Sequence, residues 1–160
     1  MARLLTTCAA AALAFSLLGA PLRGAGQARS RAPALLAIVH PAAGVERMDR
    51  NELAAVFTLS LRNWSNGRRA VPFNYAANHP YRVAFDEAVL GMGPEQVARF
   101  WITRRVRGQG TAPRTVSSPQ LMAKVVARLP GAVGYVPHGV KAPGAVVVAR
   151  VEGGRVVPVK

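Results

Sequence analysis

The sequence predicts an α/β fold with a mixed sheet, helices on both of its faces and a hairpin at the C-terminal end. Three observations predict it. Apolar runs of strand length alternate with segments of helical period. Cap and stop residues of the right chemistry bound each helical segment. Two final apolar runs, 145–151 and 155–159, flank Glu152-Gly153-Gly154, a short hairpin turn. The chain has 160 residues, 51% of them hydrophobic, and a mean hydropathy of +0.18. That composition argues against a disordered chain and supplies one domain with a core that needs no staple.

Residues 1–20, MARLLTTCAAAALAFSLLGA, place Arg3 before an apolar run and small residues after it. This is the layout of a secretory signal peptide, and the run is short for a membrane span. We expect a leader over 1–28, cut after Ala28, and a domain over 29–160; Ala20 is a second candidate cut, and an uncleaved anchor is the alternative. The expected location is secreted or periplasmic. Cys8, the only cysteine, lies inside the apolar run rather than after it, which argues against lipidation, and no disulfide framework is available.

Residues 35–40, LLAIVH, read as a buried strand ended by Pro41. Asp49 and Glu52 form a capping box, with Met48 and Leu53 as its hydrophobic staple, so a short helix should run to about Leu59. Asn63-Trp64-Ser65-Asn66-Gly67 is turn chemistry. Residues 70–75 read as a strand that Pro72 weakens or places at an edge. A second helix starts at Asn78-His79-Pro80, repeats Tyr81, Phe85 and Val89, and ends at Gly91. A third starts at Gly93-Pro94, stacks Val97 on Trp101, and carries Arg104 and Arg105 in its last turn, where cations complement the helix dipole. Ser117-Ser118-Pro119 starts a fourth, whose face is Leu121, Met122, Val125, Val126 and Leu129. Pro130-Gly131 stops it, and residues 132–136 form a strand.

Twenty-one basic against seven acidic residues give a net charge of +14, a field that favours anions. Eighteen of the cations are Arg, scattered along the chain and without the interleaved aromatics of a base-stacking platform, so no nucleic-acid partner is expected. Peripheral contact with an anionic membrane surface is a further reading of the charge. His40, His79 and His138 all adjoin prolines and lack ligand spacing, so no metal is expected. There is no nucleophile elbow, phosphate loop or dinucleotide fingerprint. Asp86 and Glu87 are neighbours that point in different directions, not an acid/base pair. The expectation is a non-enzyme without cofactor. The chemistry that fits is anion binding at helix starts, where free amides meet side-chain donors. The candidate residues are Asn78, His79, Arg82, Ser117 and Ser118; ordinary capping is the alternative for each start.

The ordered set LLAIVHP, NELAAVFTLSLRNWSNGRRAVPFN, YRVAFDEAVLG, a Trp-containing helix and SSPQLMAKVVARLPGAVGYVP resembles the phosphate-type substrate-binding proteins of ABC transporters. Phe57, Trp64, Gly67, Arg82, Phe85 and residues 130–136, PGAVGYV, occupy the places that carry the likeness, which covers residues 35–137. The resemblance implies a single periplasmic-binding-protein-like lobe that binds phosphate or another small oxyanion weakly. It also implies an envelope or ABC transporter protein as partner. An envelope interaction module without a small ligand is the alternative. Where that family's ligand loop resembles S-G-T, this chain has Ala77-Asn78-His79-Pro80, so the hydroxyl arrangement is absent and Asn78 and His79 are the available donors.

Overall fold

The computed structural model describes residues 32–159. The expected leader over 1–28 and its cut lie outside the described residues. Six strands of the described residues form one sheet: β1 (Leu35–Val39), β2 (Val71–Asn74), β3 (Arg114–Thr115), β4 (Ala132–Pro137), β5 (Val146–Glu152) and β6 (Arg155–Pro158). Their order is β3-β2-β4-β1-β5-β6. β2 pairs in parallel with β3 and β4, while β1 is antiparallel to β4 and β5, and β5 to β6. The sheet is therefore mixed, and the closing hairpin turns at Gly153-Gly154 as expected.

The described residues also form four α-helices: α1 (Arg50–Phe57), α2 (Pro80–Phe85), α3 (Pro94–Val106) and α4 (Pro119–Arg128). The strands β1 and β4 lie at the centre, and every residue from Ala132 to Val136 is buried. A strand buried along its whole length must be covered on both faces. Alternation along β4 identifies the covers. A side chain at Gly134 would collide with Met122 Sδ, so this face takes α4 at the close approach that only glycine allows. Tyr135 points the other way and stacks on Phe85 of α2, with ring centroids 3.9 Å apart, and meets Phe57 of α1 at a tilt of 57°.

Local chemistry starts each helix. Asp49 accepts the Glu52 amide at 2.8 Å and Glu52 returns the bond to the Asp49 amide, which closes the capping box. His79 caps α2, and Ser118 caps α4. α2 runs directly into a π-helical turn, Asp86–Leu90, that ends at Gly91 with φ +68. The wider turn leaves carbonyls to be satisfied from outside the helix, and Arg50 Nε of α1 donates to Ala88 and Val89. Trp64 donates its indole N–H to the Gly131 carbonyl at 3.0 Å, tying the 63–67 turn to the start of β4.

Three expectations need correction, and one strand lies where none is predicted. α1 ends at Phe57 rather than Leu59, because Leu59 adopts a left-handed φ of 58. β2 is not an edge strand: β3 lies outside it, and pairs only with Phe73 and Asn74. Pro72, which has no N–H to donate, sits where that outer side is unpaired. β3 itself has two exposed residues and no apolar pattern, so only its pairing defines it. Finally, the α4 face is narrower than its apolar stripe. Met122 and Val126 are fully buried, whereas Leu121 and Leu129 are each 40% exposed.

Candidate functional site

The turn from β2 into α2 is built on a buried polar cluster. Asn74, Arg82 and Asp86 are the buried polar and charged residues of the described chain. Tyr75 donates its hydroxyl to the Tyr135 carbonyl at 2.9 Å, and Tyr135 donates its own to Asn74 Oδ1. Arg82 donates from Nη1 to the Tyr75 carbonyl at 3.0 Å and from Nε to Asp86 Oδ2 at 3.2 Å. The second carboxylate oxygen, Asp86 Oδ1, is buried without a partner.

Burial dominates the electrostatics here. It raises the Asp86 pKa to about 6, against the opposing pull of the Arg82 charge and hydrogen bond. Burial likewise lifts the phenols of Tyr75 and Tyr135 well above their ordinary value, helped at Tyr75 by Tyr81 and at Tyr135 by Asp86. Both tyrosines are therefore neutral hydrogen-bonding groups at physiological pH. An open cavity of about 240 Å³ lies between α2 and α3, lined by Arg82, Asp86, Val97 and Trp101 among others.

Of the five candidate residues, Asn78 and Ser117 are exposed, His79 and Ser118 half-buried, and Arg82 buried. His79 stacks on Tyr75 with centroids 4.6 Å apart, and its Nδ1 accepts the Tyr81 amide at 3.2 Å. An accepting Nδ1 leaves the neutral ring's proton on Nε2, which is a donor. Ser118 Oγ accepts the Leu121 amide at 3.2 Å, and its O–H remains able to donate. Arg82 is committed to the interior: two of its nitrogens hold Asp86 and Tyr75, so its first role is to fix the turn. Sequence reasoning missed Asp86, Asn74, Tyr75 and Tyr135 as members of this cluster. The i, i+4 spacing of Arg82 and Asp86 was the available signal.

The two helix starts leave the sheet at one edge. β2 and β3 are parallel, with Phe73 opposite Arg114 and Asn74 opposite Thr115. The Val116 amide still bonds the Asn74 carbonyl at 2.8 Å beyond them. The chain then turns from β2 into α2, on the Tyr135 face, and from β3 into α4, on the Gly134 face. No hydrogen bond among the described residues joins Asn78, His79 or Arg82 to Ser117 or Ser118. Adjacent parallel strands whose following helices part to opposite faces open a crevice at their C-terminal ends. No helix of the described residues is long and apolar enough to cross a membrane, and none of their His, Cys, Asp and Glu side chains gather as three or more metal-ligating groups.

The fold is that of phosphate-type solute receptors. The chain aligns with an ABC-type phosphate transport receptor from Vibrio cholerae at a TM-score of 0.57 and 15% identity, over 74% of this chain and 47% of that one. A phosphate ABC transporter substrate-binding protein with bound phosphate from Clostridium perfringens gives 0.57 and 16%, over 74% and 46%. A possible phosphate-binding protein from Planctomyces limnophilus gives 0.53 and 15%, over 74% and 42%. The chain thus spans about half the length of the solved structures it matches. No family model matches the chain, and no curated protein matches its sequence.

Proposed function

We propose that this protein is an exported, non-catalytic solute-binding lobe that takes phosphate or another small oxyanion weakly at the starts of α2 and α4. In this reading residues 1–28 are a leader removed on export, and the protein works outside the cytoplasm beside an envelope or ABC transporter protein. The observation that carries the site is the parallel pairing of β2 with β3, which supports a shared crevice for the two helix starts. Asn78, His79 Nε2 and the Ser117 and Ser118 hydroxyls are the donors, and the helix-start amides add partial positive charge. Arg82 acts from beneath, holding the turn that presents them.

Weak binding follows from exposure. A hydrogen bond to an anion gains little where water competes for both partners, and Asn78 and Ser117 are exposed. Calorimetry at low salt with phosphate and with sulfate tests the reading. Weak, saturable heat that Asn78→Ala and His79→Ala both reduce is the expected result. No heat at millimolar ligand would overturn it.

A further inference from the structure

At the opposite end of β2 lies a second, larger depression, an open groove of about 820 Å³ between the 59–72 segment and the 108–114 loop. Arg62, Arg69 and Arg114 line it, and no carboxylate does. The asymmetry extends into the surroundings, because the chain has no Asp or Glu anywhere from residue 53 to 85 or from 96 to 151. The floor is apolar: Leu59, Val71, Pro72, Pro113 and Leu129. Leu129 is 40% exposed there, and Leu59 lines the groove from a left-handed backbone, φ 58, that a branched side chain adopts at a cost.

The chemistry of the walls selects the occupant. The amides of Arg107, Gly108 and Gln109 are all bonded to carbonyls of α3, and Arg62 Nη2 donates to the Gln109 carbonyl at 3.3 Å; the guanidinium groups of Arg62, Arg69 and Arg114 are the charged donors of the lining. Strand addition is blocked as well. The Ala70 amide is taken by the Arg62 carbonyl, and Pro72, the next residue facing outward, has no N–H. The lining contains no aromatic side chain on which bases could stack, which disfavours a nucleic acid. A bare inorganic anion would leave the aliphatic floor wet. An occupant with carboxylates for the three guanidinium groups and aliphatic side chains for the floor matches both parts.

We propose that this groove is a docking site for an acidic, leucine-type apolar peptide segment of a partner protein. It is independent of the oxyanion site, which lies at the other end of β2. Selection of short random peptides displayed against the full chain, followed by calorimetry of the survivors, tests it. The survivors should combine two or more Asp or Glu with aliphatic residues. Their affinity should fall about ten-fold in each of Arg62→Gln, Arg69→Gln and Arg114→Gln, the scale of losing one charged hydrogen bond. Arg150→Gln, an exposed position on β5 outside the groove, should change it less than two-fold, about 0.4 kcal/mol. No enrichment, survivors without carboxylates, equal weakening by Arg150→Gln, or displacement of the peptide by single-stranded oligonucleotide at matched charge would each overturn the proposal. Loss of phosphate heat in the oxyanion experiment leaves these readouts unchanged, so the two readings fail separately.

Discussion

Asp86 is buried in the π-helical turn after α2, with one oxygen on Arg82 and the other unpartnered. Burial raises its pKa from 3.8 to about 6. Between those values the native protein holds a proton that the unfolded chain has released. The stability that this protonation contributes is complete below pH 3.8 and is lost as pH rises through about 6. The gap corresponds to about 3 kcal/mol. Urea midpoints should therefore fall as pH is raised across this window, and Asp86→Asn should flatten the fall; an unchanged slope in that variant would assign the titration elsewhere. Tyr135→Phe removes the hydroxyl that meets Asn74 Oδ1 while Tyr75's amide still bonds that oxygen. Its cost should be about 1–2 kcal/mol in urea unfolding.

Helix starts were legible in the sequence because their chemistry is local. Asp49 and Ser118 cap the residues that their side chains predict, and Pro80, Pro94 and Pro119 stand at first helical positions. What local pattern cannot encode is what packs above. The stripe of α4 spans Leu121 to Leu129, but only the part over Gly134 meets the sheet, so the ends of the stripe stay exposed. β3 carries no signal at all, since Arg114 and Thr115 become a strand only because β2 lies beside them. The π-helical turn after α2 depends on Arg50, which is distant in sequence. At the site, the caps were readable and the Asn74–Tyr135–Arg82–Asp86 cluster was not, because its bonds join β2, α2 and β4. Arg50→Met should cost about 1–3 kcal/mol by stranding the Ala88 and Val89 carbonyls. Gly134→Ala, which drives a methyl into Met122 and Val126, should cost about 1–3 kcal/mol and lower the thermal midpoint.

At the scale of the whole molecule, charge and architecture act together. A net charge of +14 makes the compact state repel itself, so moderate salt should raise the urea midpoint, and a midpoint indifferent to salt would show that the cations are already compensated. The architecture adds direction to that field. β2 and β3 run in parallel toward the helix starts at one end, and the arginine-lined groove lies at the other. An amide-resolved NMR titration with inorganic phosphate at low salt tests whether the two helix starts share one anion site. Saturable shifts clustered at residues 78–81 and 117–120, with the 108–114 loop little changed, are the expected result. Shifts confined to one helix start, or spread over exposed arginines without saturation, would contradict it.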